Sequence, residues 1–502
     1  MVITMRITNK MMTNNMMNNI NKNKFNMTSL EQQYSTGKKI QKPSDDPIIT
    51  VRALKLRTNL SELKQYYEKN IPDAMSWMDV TESALKTVND ILSKVNTYCV
   101  QGSTDTLTAS DRASIVQNLT EMKNQIYQEG NTNYAGRYVF TGYKTDSSLI
   151  FTEDKDNLSY DITESFSGEQ IQVGSRVTGS YSLKDFEDAT VTFDEAPQMV
   201  NTYRIQLSYD KLESMDMTLG IRYKKAVTGE EPEEQVPYNN VTTLSSTDPM
   251  AYQPDLNEIH FIKETGELIL GEQAFQEFRT AEDIRITYTK SGFKNGELKP
   301  EHYFDCVMTD SEKPEQGEIS YKKQDQKIQY EINYNQKLTI NTEGSDAISH
   351  SIGRAIDDIL NSVNEVSAIE DMITEVEKRL QDTNLSEGDR QRYEKMQEQL
   401  DTDLELKKEI MQGYFSKGIT FSNAEQEKVN VAVADLGSRY VRLELTENRL
   451  SSQKVDFEDL LSKNEDADLV DTIIKYNSAQ TIYNASLSAA AKVVKTSLLD
   501  FL

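Results

Sequence analysis

Residues 469–502 constrain this chain more than any other stretch. Their apolar side chains, Leu469, Ile473, Tyr476, Tyr483, Leu487, Ala490, Val494, Leu498 and Phe501, recur at intervals of 3, 4 or 7. That spacing places them on one stripe of a helix. At 1.5 Å per residue the helix is about 50 Å long. A long helix with an uninterrupted apolar seam needs a partner lying alongside it. The candidate is the other end of the chain. Residues 5–36 predict a helix with Met12, Met16, Ile20, Met27, Leu30 and Tyr34 on one side. Asn14, Asn15, Asn18, Asn19, Asn21, Asn23 and Asn26 crowd the same stretch, and Asn is a poor helix former. Such a helix is marginal alone and forms only against a partner. The candidate site is therefore a pair of self-assembly seams. The N-terminal one is Met12, Met16, Ile20, Met27, Leu30 and Tyr34; the C-terminal one is Leu469, Ile473, Tyr476, Tyr483, Leu487, Val494, Leu498 and Phe501.

Between the two ends the chain reads in blocks. Gly37 stops the first helix, and Pro43-Ser44-Asp45-Asp46-Pro47 makes a turn with an N-cap for the next. Residues 47–102 carry a helical stripe that includes Leu60, Leu63, Leu85, Val88, Leu92, Val95 and Cys99. Pro72 is expected to kink that helix or restart it near 70–73. Cys99 falls on the stripe, which predicts a core thiol rather than a reactive one. A further helix is expected over 110–129, stopped by Gly130. From 146 to 345 the pattern changes to short alternating runs, with Ile259 to Leu270 folding about Thr265-Gly266 as a hairpin. After 345 the helical period returns, with a charged helical hairpin over 366–412 that Gly413 and Gly418 are expected to break. A helix over 424–463 follows. The polar joint 464–468 then precedes the last helix, with Asp466 or Asp468 as its cap.

The predicted fold class is α+β and multidomain: long terminal α-helices form coiled-coil or helical-bundle domains, with an all-β insertion in the middle. The expected segments are 1–42, pairing with 466–502; 43–145 and 419–465, the two halves of a helical core; 146–345, the β insertion; and 346–418, the helical region with the charged hairpin. A length of 502 residues suits two to four domains.

Charge narrows the partners. The chain carries a net −26, which argues against nucleic acid or an anionic membrane as the main partner. Residues 1–60 nevertheless hold ten Lys/Arg against three acids, near +7, so the remainder stands near −33. No apolar run reaches the 18 residues of a membrane span, so membrane insertion is not expected. The start has neither an apolar core segment nor a small-residue cleavage site, so secretion by a cleaved peptide is not indicated. His260, His302 and His350 stand apart, and Cys99 and Cys306 are distant. Phosphate-loop, nucleophile-elbow and C-x-x-C patterns are missing. No catalytic residue, cofactor or metal is expected, and the chain does not read as an enzyme.

Several motifs resemble one known family. Met5-Arg6-Ile7-Thr8-Asn9-Lys10-Met11-Met12, Ser35-Thr36-Gly37-Lys38-Lys39-Ile40, Pro43-Ser44-Asp45-Asp46-Pro47 and Leu107-Thr108-Ala109-Ser110-Asp111-Arg112 are similar to the flagellar axial proteins of the flagellin superfamily. The run 136–145 (Gly-Arg-Tyr-Val-Phe-Thr-Gly-Tyr-Lys-Thr) and the ending Ser497-Leu498-Leu499-Asp500-Phe501-Leu502 are more similar to the hook-associated proteins of the hook–filament junction than to flagellin itself. The resemblance covers about 5–145 and 420–502. It implies a structural, extracellular role in the bacterial flagellum, with a ring of subunits assembled through the terminal helices. The partners it implies are further copies of the chain, hook-associated protein 1, flagellin, an export chaperone and the type III export apparatus. A divergent flagellin is the alternative, and a coiled-coil adhesin or scaffold a more distant one. Pro72 and the 366–412 hairpin depart from the family pattern.

Overall fold

The computed structural model describes residues 9–499 except 105–106, 183–184, 186–190, 213–219, 225–234, 249, 282 and 383–384. Its helices are α1 (Asn9–Thr36), α2 (Pro47–Gln65), α3 (Ile71–Gly102), α4 (Ala109–Glu129), α5 (Glu272–Arg279), α6 (His350–Leu380), α7 (Glu387–Glu465) and α8 (Leu469–Leu499). Its strands are β1 (Asn133–Tyr134), β2 (Arg137–Tyr138), β3 (Lys155–Phe166), β4 (Gln172–Thr178), β5 (Gln198–Gln206), β6 (Gly220–Lys224), β7 (Gln235–Tyr238) and β8 (Val241–Leu244). There follow β9 (Ile259–Ile262), β10 (Glu267–Leu270), β11 (Ile284–Phe293), β12 (Asp305–Asp310), β13 (Ile319–Tyr321), β14 (Gln329–Asn333) and β15 (Gln336–Thr339). The chain divides into two compact units. The first is Met1–Asp73, Glu331–Lys337 and Arg442–Leu502; the second is Ala74–Tyr330 and Leu338–Val441.

In the first unit, α1 pairs with α8, and α2 packs beside the last turns of α7. Asp46 caps α2 by accepting from the backbone N–H of Ile48 and Ile49, with Pro47 at the first helical position. Leu60 and Leu63 of α2 and Leu443 and Leu450 of α7 are buried. Between α2 and α3 lies a π-helical turn, Tyr66–Asn70, in which Ile71 N–H bonds to Tyr66 O. Pro72 has no N–H to give to the ordinary ladder, and the wide turn just before it absorbs the mismatch without ending the helix. The expected kink is thus a π turn. Asn70 Nδ2 donates to Glu331 O at 2.8 Å, so the tip of the β14–β15 hairpin is tied to that turn.

The second unit holds a helical bundle and two sheets. Cys99 of α3 is fully buried, and burial pushes its thiol up to about 12. Thr108 and Asp111 form a reciprocal capping box at the start of α4. Lys123 of α4 reaches Asp357 of α6 at 2.7 Å. Helix α7 passes through Gly413 and Gly418 unbroken, against expectation. A glycine inside a helix costs about 1 kcal/mol relative to alanine. At Gly418 close packing offsets that cost: a Cβ there would lie 2.9 Å from both Cys99 Sγ and Ile359 Cδ1. The 366–412 stretch does turn back on itself, with Ile369 and Val376 of α6 buried against Met396 and Leu400 of α7 and Phe193.

One sheet has the order β4-β5-β10-β9-β8, with β8 parallel to β9; the other runs β13-β12-β3-β11-β6-β7. The β9–β10 hairpin turns at Gly266, whose φ is +64° and whose Cβ would strike Tyr209 O. The two sheets share a core that includes Tyr160, Ile162, Ile205, Leu268, Phe278, Ile286 and Tyr288. The acidic stretch 229–234 lies outside the described residues.

The histidines are structural. His260 Nδ1 lies 3.1 Å from Ala251 O and His302 Nε2 lies 3.3 Å from Ser148 O. His350 sits among Tyr209, Tyr303 and Phe304. Burial lowers His302 and His350 to about 3, helped by nearby Lys144 and Arg354 respectively. Below the unfolded value near 6.5 the unfolded chain takes up protons that the folded unit refuses. Stability of the second unit is therefore expected to fall between about pH 6.5 and pH 3, by up to about 1.4 kcal/mol per pH unit for each histidine. Urea denaturation at pH 7, 6 and 5, compared between the parent chain and a His302→Asn variant, checks this: the variant has the shallower slope.

Candidate assembly interface

The terminal helices pair antiparallel, α8 through the less apolar of its sides. On α8 the partly or fully buried positions are Thr472, Tyr476, Ala479, Tyr483, Ser486 and Ala490. Their spacing alternates strictly between 4 and 3, the repeat of a coiled-coil seam. On α1 the matching positions are Thr13, Met16, Ile20, Asn23, Met27 and Leu30. Asn23 Nδ2 donates to Ser486 Oγ at 2.8 Å across this seam.

The larger aliphatic residues of α8 face away. Val470 and Ile474 are 70% and 63% exposed, and Leu469, Ile473, Ile482 and Leu487 are also classed with the exposed hydrophobics. At about 100° per residue, Val470 and Ile474 stand opposite the seam, while Leu469, Ile473 and Leu487 lie along one flank of it. On α1, Met11, Met17 and Phe25 are exposed, Phe25 by 74%.

The expected single stripe on α8 is therefore two. Of its residues, Tyr476 and Tyr483 face α1; Leu469, Ile473 and Leu487 do not. Val494, Leu498 and Phe501 lie outside the residues whose side chains are described. On α1 the structure brings Met16, Ile20, Met27 and Leu30 to the seam and leaves Met12 and Tyr34 largely exposed. The seam partners missed from sequence are the small and polar ones, Thr472, Ala479, Ser486 and Asn23. The strict alternation of 4 and 3 was the signal that could have found them.

A charged joint fixes the pair to α2 and α7. Gly37, at φ +69°, turns the chain out of α1, and its carbonyl accepts from Ala467 N–H at 2.8 Å. Lys39 N–H donates to Glu465 O at 2.7 Å. The Glu465 side chain is only 4% exposed. Arg57 Nη2 donates to its Oε2 at 2.7 Å while Arg57 Nε stands 2.7 Å from Oε1, a two-pronged clasp. Lys38 Nζ bridges Asp466 and Glu465, and the latter contact measures 3.4 Å. The hydrogen bond to Asp466 raises the Lys38 ammonium above its ordinary range, and the same bond holds Asp466 below the usual carboxylate range. Asn464 Nδ2 donates to Ile49 O at 3.1 Å, and Asp468 caps α8 through Val470 N–H and Asp471 N–H. Among the described residues no helix is long and apolar enough to cross a membrane, and no group of three or more His, Cys, Asp or Glu could hold a metal ion.

These two chain ends match two family models: residues 7–145 the bacterial flagellin N-terminal helical region, and residues 422–502 the bacterial flagellin C-terminal helical region. The ends are thus similar to flagellin-type helical regions, the class that the sequence motifs resemble. Among curated relatives, the chain is 32% identical over 145 residues to flagellar hook-associated protein 3 of Salmonella typhimurium, covering 29% of this chain and 45% of that protein. It is 32% identical over 152 residues to the Escherichia coli flagellar hook-associated protein 3, covering 30% and 47%. Flagellin of Shigella flexneri is 26% identical over 209 residues, covering 40% and 37%. The matched segment spans about half the length of the two hook-associated relatives. Among solved structures, flagellar hook-associated protein 3 from Legionella pneumophila overlays at a TM-score of 0.31 and 12% identity, covering 81% of this chain and 97% of that one. Xanthomonas campestris FlgL gives 0.30 and 13%, covering 82% and 99%.

Replacing Glu465 by Ala leaves Arg57 and Lys38 facing each other without their shared carboxylate. Both cations are more than 40% exposed, so their field is screened and the expected loss is about 1 to 2 kcal/mol. Limited proteolysis should cut the Glu465→Ala chain faster between 37 and 46 than the parent. Acid acts in the same direction. Asp466 favours its charged form in the fold, so its contribution is present above the ordinary aspartate range and lost as pH falls through its lowered value.

Proposed function

We propose that the chain is a structural adaptor of the bacterial flagellum at the hook–filament junction, acting as a ring of subunits assembled through their terminal helices. The observation that carries this reading is the set of exposed aliphatic residues on α8, Val470, Ile473, Ile474 and Ile482, which pairing with α1 leaves uncovered. Burying one such side chain contributes about 1.5 to 3 kcal/mol, and neighbouring molecules could cover several of them. The similarity to hook-associated protein 3 supports the junction rather than the filament as its place. On this reading the self-assembly seams work in two stages. Met16, Ile20, Met27, Leu30, Tyr476 and Tyr483 close the pair within one chain; Leu469, Ile473 and Leu487, with Met12 and Tyr34, are buried by adjoining copies.

The neighbours would be hook-associated protein 1 on one side and flagellin on the other. Export would proceed through the type III apparatus, with a chaperone covering the α8 face until assembly. The role is mechanical and needs neither cofactor nor catalysis.

Electron microscopy of a deletion strain tests the reading. Hooks without filaments are expected, whereas normal filaments would favour an adhesin or scaffold. Long filaments grown from the pure protein would favour a flagellin. A point variant separates assembly from folding. Ile474→Asp changes an exposed site, so monomer stability should shift by no more than about 0.5 kcal/mol. The strain carrying it should nonetheless fail to spread on soft agar.

A further inference from the structure

Methionine is concentrated on one partner of the terminal pair. Helix α1 holds Met11, Met12, Met16, Met17 and Met27 among its 28 residues, whereas α8 holds none. Met16 and Met27 are half-buried and share the seam with Ile20, Leu30, Tyr476 and Tyr483. Met11, Met12 and Met17 are exposed; among the described residues only Met250, in the second unit, is comparably open. Met78, Met396 and Met411 of the second unit are buried, at most 2% exposed. Leucine would fill the seam with similar helix propensity, so what methionine adds there is a thioether.

The fold grades the access of a small oxidant to these sulfurs. Met11, Met12 and Met17 are open while the helices are paired. Met16 and Met27 open fully whenever the pair parts, and a seam carried by Thr472, Ala479, Ser486 and Asn23 parts readily. The buried methionines are reached only if the second unit unfolds. Oxidation turns a flexible apolar side chain into a polar sulfoxide that burial disfavours. Of the four apolar seam positions on α1, two would change at once. Ile20 and Leu30 alone would then hold an Asn-rich helix that is already marginal.

We propose that Met16 and Met27 form a reversible oxidation switch, in which hydrogen peroxide converts their thioethers to sulfoxides and uncouples α1 from α8. The sulfur lone pair attacks one peroxide oxygen, the O–O bond breaks, and the second oxygen leaves as water. Sulfur loses two electrons and the peroxide gains them. Methionine sulfoxide reductases reverse the change. The switch acts on the pairing of two helices within one chain. Its further effect, withdrawal of the outer side of α8 from neighbours, rests on the assembly role proposed above.

The test therefore reads pairing in the free, full-length chain, where the switch can fail while the assembly role stands. Graded hydrogen peroxide is applied to the parent and to a Met16→Leu/Met27→Leu double variant. Peptide mass spectrometry maps the sulfoxides, and amide hydrogen exchange across 469–491 reads the pairing. Sulfoxide should appear first at Met11, Met12 and Met17, then at Met16 and Met27, with Met78, Met396 and Met411 unchanged. Exchange across 469–491 should become about tenfold faster once Met16 and Met27 are oxidised. Reductases specific for each sulfoxide epimer should return the parent to its starting rate. The double variant, oxidised to the same extent at Met11, Met12 and Met17, should keep its own untreated rate. Any of three results overturns the proposal: Met16 and Met27 stay reduced after Met11, Met12 and Met17 are fully oxidised; their oxidation leaves exchange unchanged; or the double variant loses protection as the parent does.

Discussion

The pairing of α1 with α8 leaves the large aliphatic side chains of α8 outside the seam, and the behaviour of the chain ends follows from that arrangement. Thr472, Ala479, Ser486 and Ala490 are small or polar. Against Asn23 and Thr13 they let two backbones approach closely, yet bury little hydrocarbon. An isolated pair of this kind is only modestly stable. The aliphatic side chains that would make it robust, Val470, Ile473, Ile474, Ile482 and Leu487, are on the outside. The terminal pair is therefore ordered enough to present a face and too weak to satisfy it. On the proposed assembly, ordering and association become one linked equilibrium.

The joint at Gly37 and Glu465 makes that face usable. Without it, a weakly paired couple of helices would swing at the end of two linkers. Backbone hydrogen bonds from Lys39 and Ala467, together with the clasp of Arg57 on a buried carboxylate, fix the start of α8 to α2 and α7. The π turn ahead of Pro72 is held from outside the helix by the β14–β15 tip through Asn70 and Glu331. Stiffness in the first unit thus rests on short polar contacts placed where helices change partner. The second unit follows a different rule. Its sheets share a large aromatic and aliphatic core, and its buried charges are matched, as where Arg204 meets Glu267 and Asp358.

Much of this was legible in the sequence. The long helices, the change to period two after residue 146 and the Gly266 hairpin all follow from spacing and turn chemistry. Pairing of the two ends was also legible, because a marginal Asn-rich helix and a long seam imply each other. What failed did so for identifiable reasons. Apolar periodicity merged two sides of α8 into one stripe, joining Tyr476 and Tyr483 of the inner seam to Leu469, Ile473 and Leu487, which stay exposed. The inner seam is carried by Thr, Ala and Ser, which a hydrophobicity scale hardly registers. Gly413 and Gly418 read as breaks because glycine lowers helix propensity. Tertiary packing against Cys99 and Ile359 overrides that preference at Gly418. Glu465 and Arg57 are 408 residues apart, and no local pattern could pair them.

Amide hydrogen exchange across 469–491 tests the central claim most directly, comparing the purified chain with the same chain recovered in isolated flagella. The account requires two levels of protection. In the free chain, exchange should be slowed modestly and more strongly toward the joint at Glu465; in the flagellum the whole segment should be protected by at least about a further hundredfold. Equal protection in the two states would mean that the terminal helices complete their core alone, and would contradict the account.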